Sequence, residues 1–457
     1  MKANFYYYIP ENLDLEKLLS IYPPDFKFNI HKAHLFLSQL SILTSEETHV
    51  TRNGFVKMNS KAIQNLSIRD FPKYREWLIL VGVILFDKTY VSASLGVPLS
   101  MRYRYTDNYY SSRLKLIPVT YWCHCKSMAA RLSISISKNK TRLNEAFFNE
   151  NLKVDIEMLK LDLLFEYEEG IRIGNGEKTD KNYNSSIMNA IKINQGIFYL
   201  TVDDTIGRHH SSVVELSKTV RNHLTYKGEH LAELDFSNAQ LLFFTILLRP
   251  EFWKYDMSDM FPSLVDSPDT IEPQLFRYSS VCSKRSSDVK VSFDSPTMYM
   301  LAEKLQSHSI REFNRFVSLV EKGEVYEHLH NKFGLQSSKY NQQTRKEFKK
   351  SLITFTNSRI NYDSEFYKLF KKEFPAITNF IIELKKGDYR AFSHLLFYLE
   401  TNVMYKRITP TIRLRRPDVV FYTIHDCILC TESNANFVSN LMIEQTQIAF
   451  GVTPTIK

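Results

Sequence analysis

The sequence predicts a mixed α+β protein of two or three domains, on three observations. Apolar residues recur at helical spacing in "HKAHLFLSQLSIL" and "NEAFFNENLKVDIEMLKLDLLFEYEEG". Short strand-like runs such as "RYRY", "HLAEL" and "FYTI" are interspersed with them. A chain of 457 residues, 44% hydrophobic and 24% charged, has material for two or three cores.

Lys plus Arg outnumber Asp plus Glu by 59 to 50, a net charge of +9. That excess favours a polyanionic partner such as nucleic acid. The five cysteines are too few and too irregular for a disulfide framework, and "MKANFYYYIPENLD" lacks the apolar run of a signal peptide. The expected setting is reducing and cytoplasmic. "WLILVGVILF" and "AQLLFFTILL" are 10 residues each, well short of the roughly 20 a bilayer span needs. No membrane role is expected.

In chain order, the first third reads as a small α/β unit. "HKAHLFLSQLSIL", "NSKAIQNL" (capped at Asn59 or Ser60) and "FPKYREWLILVGVI" read as helices, and "LFDKTYVSAS" and "SMRYRYTDNYY" as strands joined through Gly96 and Pro98. Helices followed by a two-stranded wing are the order of a winged-helix unit, whose basic and aromatic wing suits phosphate contact and base stacking. A plain α/β capping domain with surface tyrosines is the alternative. From about Asn139 the spacing turns helical, ending in "GNGEKTDKNYNSS", read as a mobile loop. Asp155 and Glu157 imitate the Asp-x-Glu site of a proofreading exonuclease, but the segment reads as helix without companion acids. That reading is rejected.

Two acids carry the chemistry. In "GEHLAELDFSNAQLLFFTILL" a short strand reaches Asp235 and a long apolar helix begins near Asn238. In "FYTIHDCILCTE" Asp426 stands at the tip of two apolar strands. Carboxylates meeting from neighbouring strands repel unless divalent cations neutralise them, and hard oxygen ligands favour Mg²⁺ or Mn²⁺. Two such ions roughly 3.5–4 Å apart serve phosphoryl transfer. Between the acids, "NQQTRKEFKKSLITFTNSRI" puts Arg345 and Lys349 one helical turn apart, with Lys350 beside them, where cations can bind phosphates. Upstream, Arg208 in a Gly-Arg loop and Arg221 suit forked contacts to nucleic acid. The pairs Cys427/Cys430 and "WCHCK" are incomplete as zinc sites and read as core or strand residues; "RYSSVCSKRSSDVKVSFDSP" reads as an inserted loop.

In this order, "IGRHHSS", "LAELDFSNAQ", "TRKEFKKSLITFTNS" and "IHDCILC" resemble the Gly-Arg motif and motifs A, B and C of family A DNA polymerases and single-subunit phage-type RNA polymerases. "FVSLVEKGEVYEHL", "FKKEFPAITNFI" and the closing "FGVTPTIK" extend the likeness over roughly the last 260 residues. The resemblance implies a right-hand polymerase: palm and fingers over 196–457, a helical thumb-like region over 128–195, the α/β unit over 1–127, and no proofreading domain. It makes Asp235 and Asp426 ligands of two Mg²⁺ ions, with Phe236 adding its backbone carbonyl. Arg345 and Lys349 would hold the triphosphate, and Gln240 and Asn357 would stand near the sugar. Arg208 would contact the duplex and His425 the primer end. The implied partners are a primer-template, dNTPs or NTPs, and replication proteins; the implied reaction is attack of a 3′-hydroxyl on the α-phosphate.

The chain also departs from the family. Gln240 replaces a usual Glu, Asn357-Ser358 replaces a Tyr-Gly pair, and Cys427 stands where DNA polymerases have Glu and RNA polymerases Ser. Motif B looks closer to the RNA enzymes; motif A and "GRHHSS" look closer to the DNA enzymes. The expectation is a DNA polymerase. The alternatives are an RNA polymerase or primase, and a catalytically inactive polymerase fold acting as a DNA-binding replication initiator.

Overall fold

The computed structural model describes residues 5–45, 50–51, 53–58, 68, 70–87, 101–139, 151–174, 176–202, 209–254, 295–332, 342–360, 364–386 and 388–457. It is a mixed α+β chain in two compact units, Met1–Leu200 with Ser211–Leu231, and Thr201–His210 with Ala232–Lys457. Residues 128–195 belong to the first unit. The expected helix "NSKAIQNL", the Gly96–Pro98 connection, Arg208 and the inserted loop up to residue 294 lie outside the described residues, and the last two residues of that loop, Ser295 and Pro296, open a helix. Among the described residues, no helix is long and apolar enough to cross a membrane.

The first unit opens with β1 (Tyr6–Pro10), α1 (Leu15–Ile21), α2 (Ile30–Ser45), β2 (Val56–Lys57), α3 (Phe71–Leu80), β3 (Ile84–Asp87), β4 (Arg102–Tyr105), α4 (Asp107–Tyr110) and β5 (Leu114–Pro118). β2, β4 and β3 form an antiparallel sheet in that order, and β1 pairs with β5. α2 follows its sequence spacing, burying Ala33, Phe36, Leu37 and Leu40 in a core with Tyr7, Trp77 and Tyr103. The expected helix through "LVGVI" stops at Leu80, because Gly82 turns at φ 72° and the Val83 N–H bonds back to the Leu78 carbonyl. The β4 strand is likewise shorter than its apolar pattern, giving way at once to α4.

Next come α5 (Trp122–Asn139), β6 (Leu152–Val154), α6 (Ile156–Arg172) and α7 (Gly176–Asn194). "WCHCK" therefore starts a helix, not a strand, and Cys123 is exposed. The helix expected from Asn139 onward is described only from Ile156, after a strand. Asp155 is its N-cap, accepting from the Glu157 and Met158 N–H groups at 3.1 Å each, which explains that acid without a metal. "GNGEKTDKNYNSS", expected as a loop, opens α7. Its polar side chains have structural partners: buried Asn184 accepts from the Leu114 N–H at 2.9 Å and donates to the Ser112 carbonyl at 3.0 Å.

β7 (Leu200–Val202) and β8 (His209–Ser211) pair, and α8 (Lys218–Asn222), β9 (Leu224–Tyr226) and β10 (Glu229–Asp235) follow. β9 and β10 are joined by Lys227-Gly228, both at positive φ, the conformation of a primed two-residue hairpin turn.

The second unit is mostly helical. α9 (Ala239–Leu247) and α10 (Pro250–Lys254) precede α11 (Ser295–His308), α12 (Ile310–Lys322), α13 (Val325–Lys332), α14 (Gln342–Asn357), α15 (Glu365–Glu373), α16 (Pro375–Leu384) and α17 (Ala391–Asn402). α17 passes through a π-helical turn, Val403–Ile408, into α18 (Thr409–Arg415); β11 (Phe421–Ile424), β12 (Cys427–Thr431) and α19 (Ala435–Phe450) close the chain. α9 is buried on every side, as a helix apolar all round must be, among Phe316, Phe380 and Phe392. Each such phenylalanine contributes about 2–3 kcal/mol by burial. In sheet order β12 lies between β11 and β10, which brings the β11–β12 hairpin beside the strand that ends at Asp235.

Candidate active site

β10 ends at Asp235. Its continuation pairs with the closing segment: the Asp235 N–H donates to the Lys457 carbonyl at 2.9 Å, the Lys457 N–H returns to Asp235 at 3.0 Å, and the Ser237 N–H donates to Thr455 at 2.9 Å. Phe236, opposite Ile456, buries its ring almost completely, so that only its backbone could serve a ligand. Asn238 then turns at φ 56° and α9 begins. Asparagine tolerates this left-handed conformation better than most residues.

Asp426 reaches the site from a two-residue hairpin loop. Ile424 pairs with Cys427, so His425 and Asp426 are the turn, and His425 holds φ at 54°. Primed hairpin turns require this conformation, and a non-glycine residue adopts it only under constraint. The constraint is visible, since every residue of β11 and β12 is buried. Cys427 and Cys430 are buried residues of β12, the core or strand positions read from the sequence.

The two carboxyl groups lie within hydrogen-bonding reach of each other. Burial, then the charge of Asp426, push Asp235 well above the ordinary carboxylate range, against the pull of Lys349. Two carboxylates so placed share a proton or require a cation. Among the described residues, no three His, Cys, Asp or Glu side chains converge on a metal position. Two carboxylates and a carbonyl are nevertheless a fitting set for Mg²⁺, which keeps several waters and binds through one or two carboxylates plus substrate phosphates.

Two cations act on Asp235, and a third lies beside one of them. Lys349, exposed on α14, acts on Asp235 electrostatically. Lys457, which the sequence did not single out, faces both Asp235 and Arg345, and burial lowers its ammonium pKa. Its position follows from the strand pairing, for which only the resemblance of "FGVTPTIK" gave a signal. Arg345 is half-buried and already engaged: it donates to Asn238 Oδ1 at 3.1 Å and to the Gly323 carbonyl at 3.4 Å, and lies 5.4 Å from the Tyr326 ring centre. Gly323, at φ 73°, ends α12 with its own N–H on Val320 and the Glu324 N–H on Leu319, the Schellman arrangement. Arg345 thus ties α14 to the start of α9 and the end of α12. Its role is partly structural.

Ser237 Oγ, Asn238 Nδ2 and Gln240 Oε1 are buried without a hydrogen-bond partner among the described residues. Such orphans beside a carboxylate pair are acceptors and donors available to a ligand. Asn357, at the far end of α14, is exposed and folds its amide onto the Ile353 carbonyl at 2.8 Å. It lies about 12 Å along the axis from Lys349 at 1.5 Å per residue.

Arg208 falls outside the described residues, but the next two residues border the hairpin. His209 stacks on Tyr405 with centroids 3.7 Å apart, and His210 meets His425 edge-on at 6.3 Å. Burial, Arg413 and His210 lower His209 to about 4, so it is neutral at physiological pH. Arg221 belongs to the first unit, where it donates to the Leu216 carbonyl at 2.7 Å. Asp235, Asp426, Lys349, Arg345 and His425 therefore belong to one unit, with Gln240 the second residue of the helix that follows Asp235.

No protein-family model and no curated protein matches the chain. Among solved structures, the chain is similar to the POL domain of Pol1 from M. smegmatis in complex with DNA primer-template and dNTP, with a TM-score of 0.30 and 9% identity over 96% of this chain and 79% of that one.

Proposed function

We propose that the chain is a template-directed nucleotidyltransferase, a DNA polymerase without proofreading that resembles family A, with palm and fingers in the second unit. The observation that carries this reading is the Asp235–Asp426 pair, drawn from segments far apart in sequence, with Lys349 and Lys457 acting on Asp235 and Arg345 beside Lys457. A scaffold has no need of two half-buried acids whose repulsion destabilises it. A phosphoryl-transfer enzyme does.

Asp235, Asp426 and the Phe236 carbonyl would hold two Mg²⁺ ions. When bound, these ions activate the attacking hydroxyl and stabilise the leaving oxygen. Lys349 takes the phosphates that arrive beside the acids, and Lys457 adds positive charge behind Asp235. Arg345 fixes the angle of α14. His425, held by the hairpin and backed by His210, presents an imidazole at the primer end. Gln240 keeps a bulky side chain near the sugar, where its orphaned Oε1 can accept a hydrogen bond.

Purified protein given a primed DNA template, Mg²⁺ and either dNTPs or NTPs tests the assignment. Extension with dNTPs is expected. Strong preference for NTPs would overturn the DNA assignment in favour of RNA synthesis, and no product with either, on DNA or RNA templates, would overturn the enzymatic reading.

A further inference from the structure

Resting on the polymerase reading, the geometry around one buried cation outside the acid pair points to a positioning residue. Lys385 follows α16 directly and is only 3% exposed. Its ammonium donates to the Phe355 carbonyl at 2.6 Å and to the Ser358 carbonyl at 2.9 Å, and lies 5.1 Å from the Phe355 ring centre. Among the described residues, no carboxylate is paired with it. An unpaired buried ammonium is expensive, so carbonyl oxygens must replace its water.

The location gives this cost a use. Phe355 and Ser358 straddle the C-terminus of α14, where backbone carbonyls lack partners within the helix and the helix dipole is negative. Ser358 Oγ also donates to the Phe355 carbonyl at 3.0 Å, and Thr356 and Asn357 fold onto Ile353. Lys385 supplies two long-range hydrogen bonds to this terminus, beside the packing of the Phe355 ring on Phe366 and Phe370. α14 is therefore held at both ends: by Arg345 to Asn238 and Gly323, and by Lys385 to the end of α16. Asn357, which the resemblance would place near the sugar with Gln240, lies in sequence between the two carbonyls that Lys385 grips.

We infer that Lys385 is a positioning residue for nucleotide selection. It touches no substrate; it clamps the end of α14 so that Asn357-Ser358 stands at a fixed place relative to the incoming sugar. Without the clamp the last turn of α14 frays, while Lys349 and the acids stay where they are. Nucleotide binding and sugar discrimination should then suffer more than turnover at saturation.

The test is single-nucleotide extension with dNTP and NTP by the wild-type chain, Lys385→Met and Lys385→Arg, alongside hydrogen exchange of the peptides spanning 345–349 and 353–359. For Lys385→Met, KM should rise about 5–10-fold with kcat within about 3-fold, and the ratio of kcat/KM for dNTP over NTP should change at least about 3-fold. Lys385→Arg should restore much of both. Protection should fall in 353–359 and persist in 345–349. A loss confined to kcat, an unchanged sugar ratio, or unchanged exchange in 353–359 overturns the inference. Should Lys385→Met fail to fold, Ser358→Ala, which loosens the same Phe355 carbonyl, must move the ratio in the same direction by about 2-fold; no movement overturns it. If the wild-type chain extends no primer, the functional reading fails, and hydrogen exchange alone still decides whether Lys385 clamps the helix.

Discussion

Asp235 and Asp426 work against the fold that positions them. Asp235 is raised from its ordinary 3.8 by burial and by Asp426. A folded-state pKa above the unfolded one contributes stability that is complete below the unfolded value and lost as pH rises through the folded one. In EDTA the wild-type chain should therefore lose stability on approaching neutral pH. Asp235→Asn should raise its Tm there by roughly 2–6 °C, equivalent to about 1–2 kcal/mol after discounting for solvent screening. Mg²⁺ should stabilise the wild type and not Asp235→Asn, as a thermal melt with and without metal would show; a wild type already more stable than Asp235→Asn in EDTA contradicts the repulsion. Lys349→Ala should raise the nucleotide KM about 10-fold with little effect on the melt, and an unchanged KM removes Lys349 from the phosphate site. These residues were legible because each acid interrupts an apolar run and the cations are four apart on one helix. Lys457 was not, because its place depends on pairing residues 455–457 with 235–237, a contact that no local pattern encodes.

At the scale of elements, the hairpin β11–β12 and the helix α14 came directly from sequence, since their patterns have the right periods. α7 did not. Its Asn and Ser residues resemble a loop, but Asn184 satisfies backbone groups of Ser112 and Leu114, so polarity served packing and not disorder. The turn ending α12 is a sharper case. Gly323 sits at φ 73° against Ser237 and Asn238, and its carbonyl holds Arg345. Gly323→Ala should cost about 1 kcal/mol in denaturant unfolding through the left-handed strain. It should also lower kcat/KM, because Arg345 loses its seat; unaltered kinetics beside the stability loss would show that α14 does not depend on that turn.

For the whole molecule, the mixed α+β class was readable from alternating periods, whereas the division into units depends on long-range packing that composition does not reveal. The first unit carries its own pH signature. Burial, followed by His31, lowers both His34 and His124 to about 4, and Tyr7 bonds His124 at 2.6 Å. Histidines depressed in the fold contribute stability that is present above the unfolded value of 6.5 and lost as pH falls towards 4. Melting of the first unit, followed by hydrogen exchange between pH 7 and 4, should show progressive loss of protection; a flat profile would mean that both imidazoles are accessible to protons.

The central claim is that two acids brought together from β10 and the β11–β12 hairpin perform metal-dependent nucleotidyl transfer. Primer extension with Mg²⁺ by Asp235→Asn and Asp426→Asn, each shown to bind primer-template as the parent does, measures it most directly. Each substitution should reduce extension by about 10³-fold or more, since half of the ligand pair is gone. Extension at the parental rate by either variant would contradict the account.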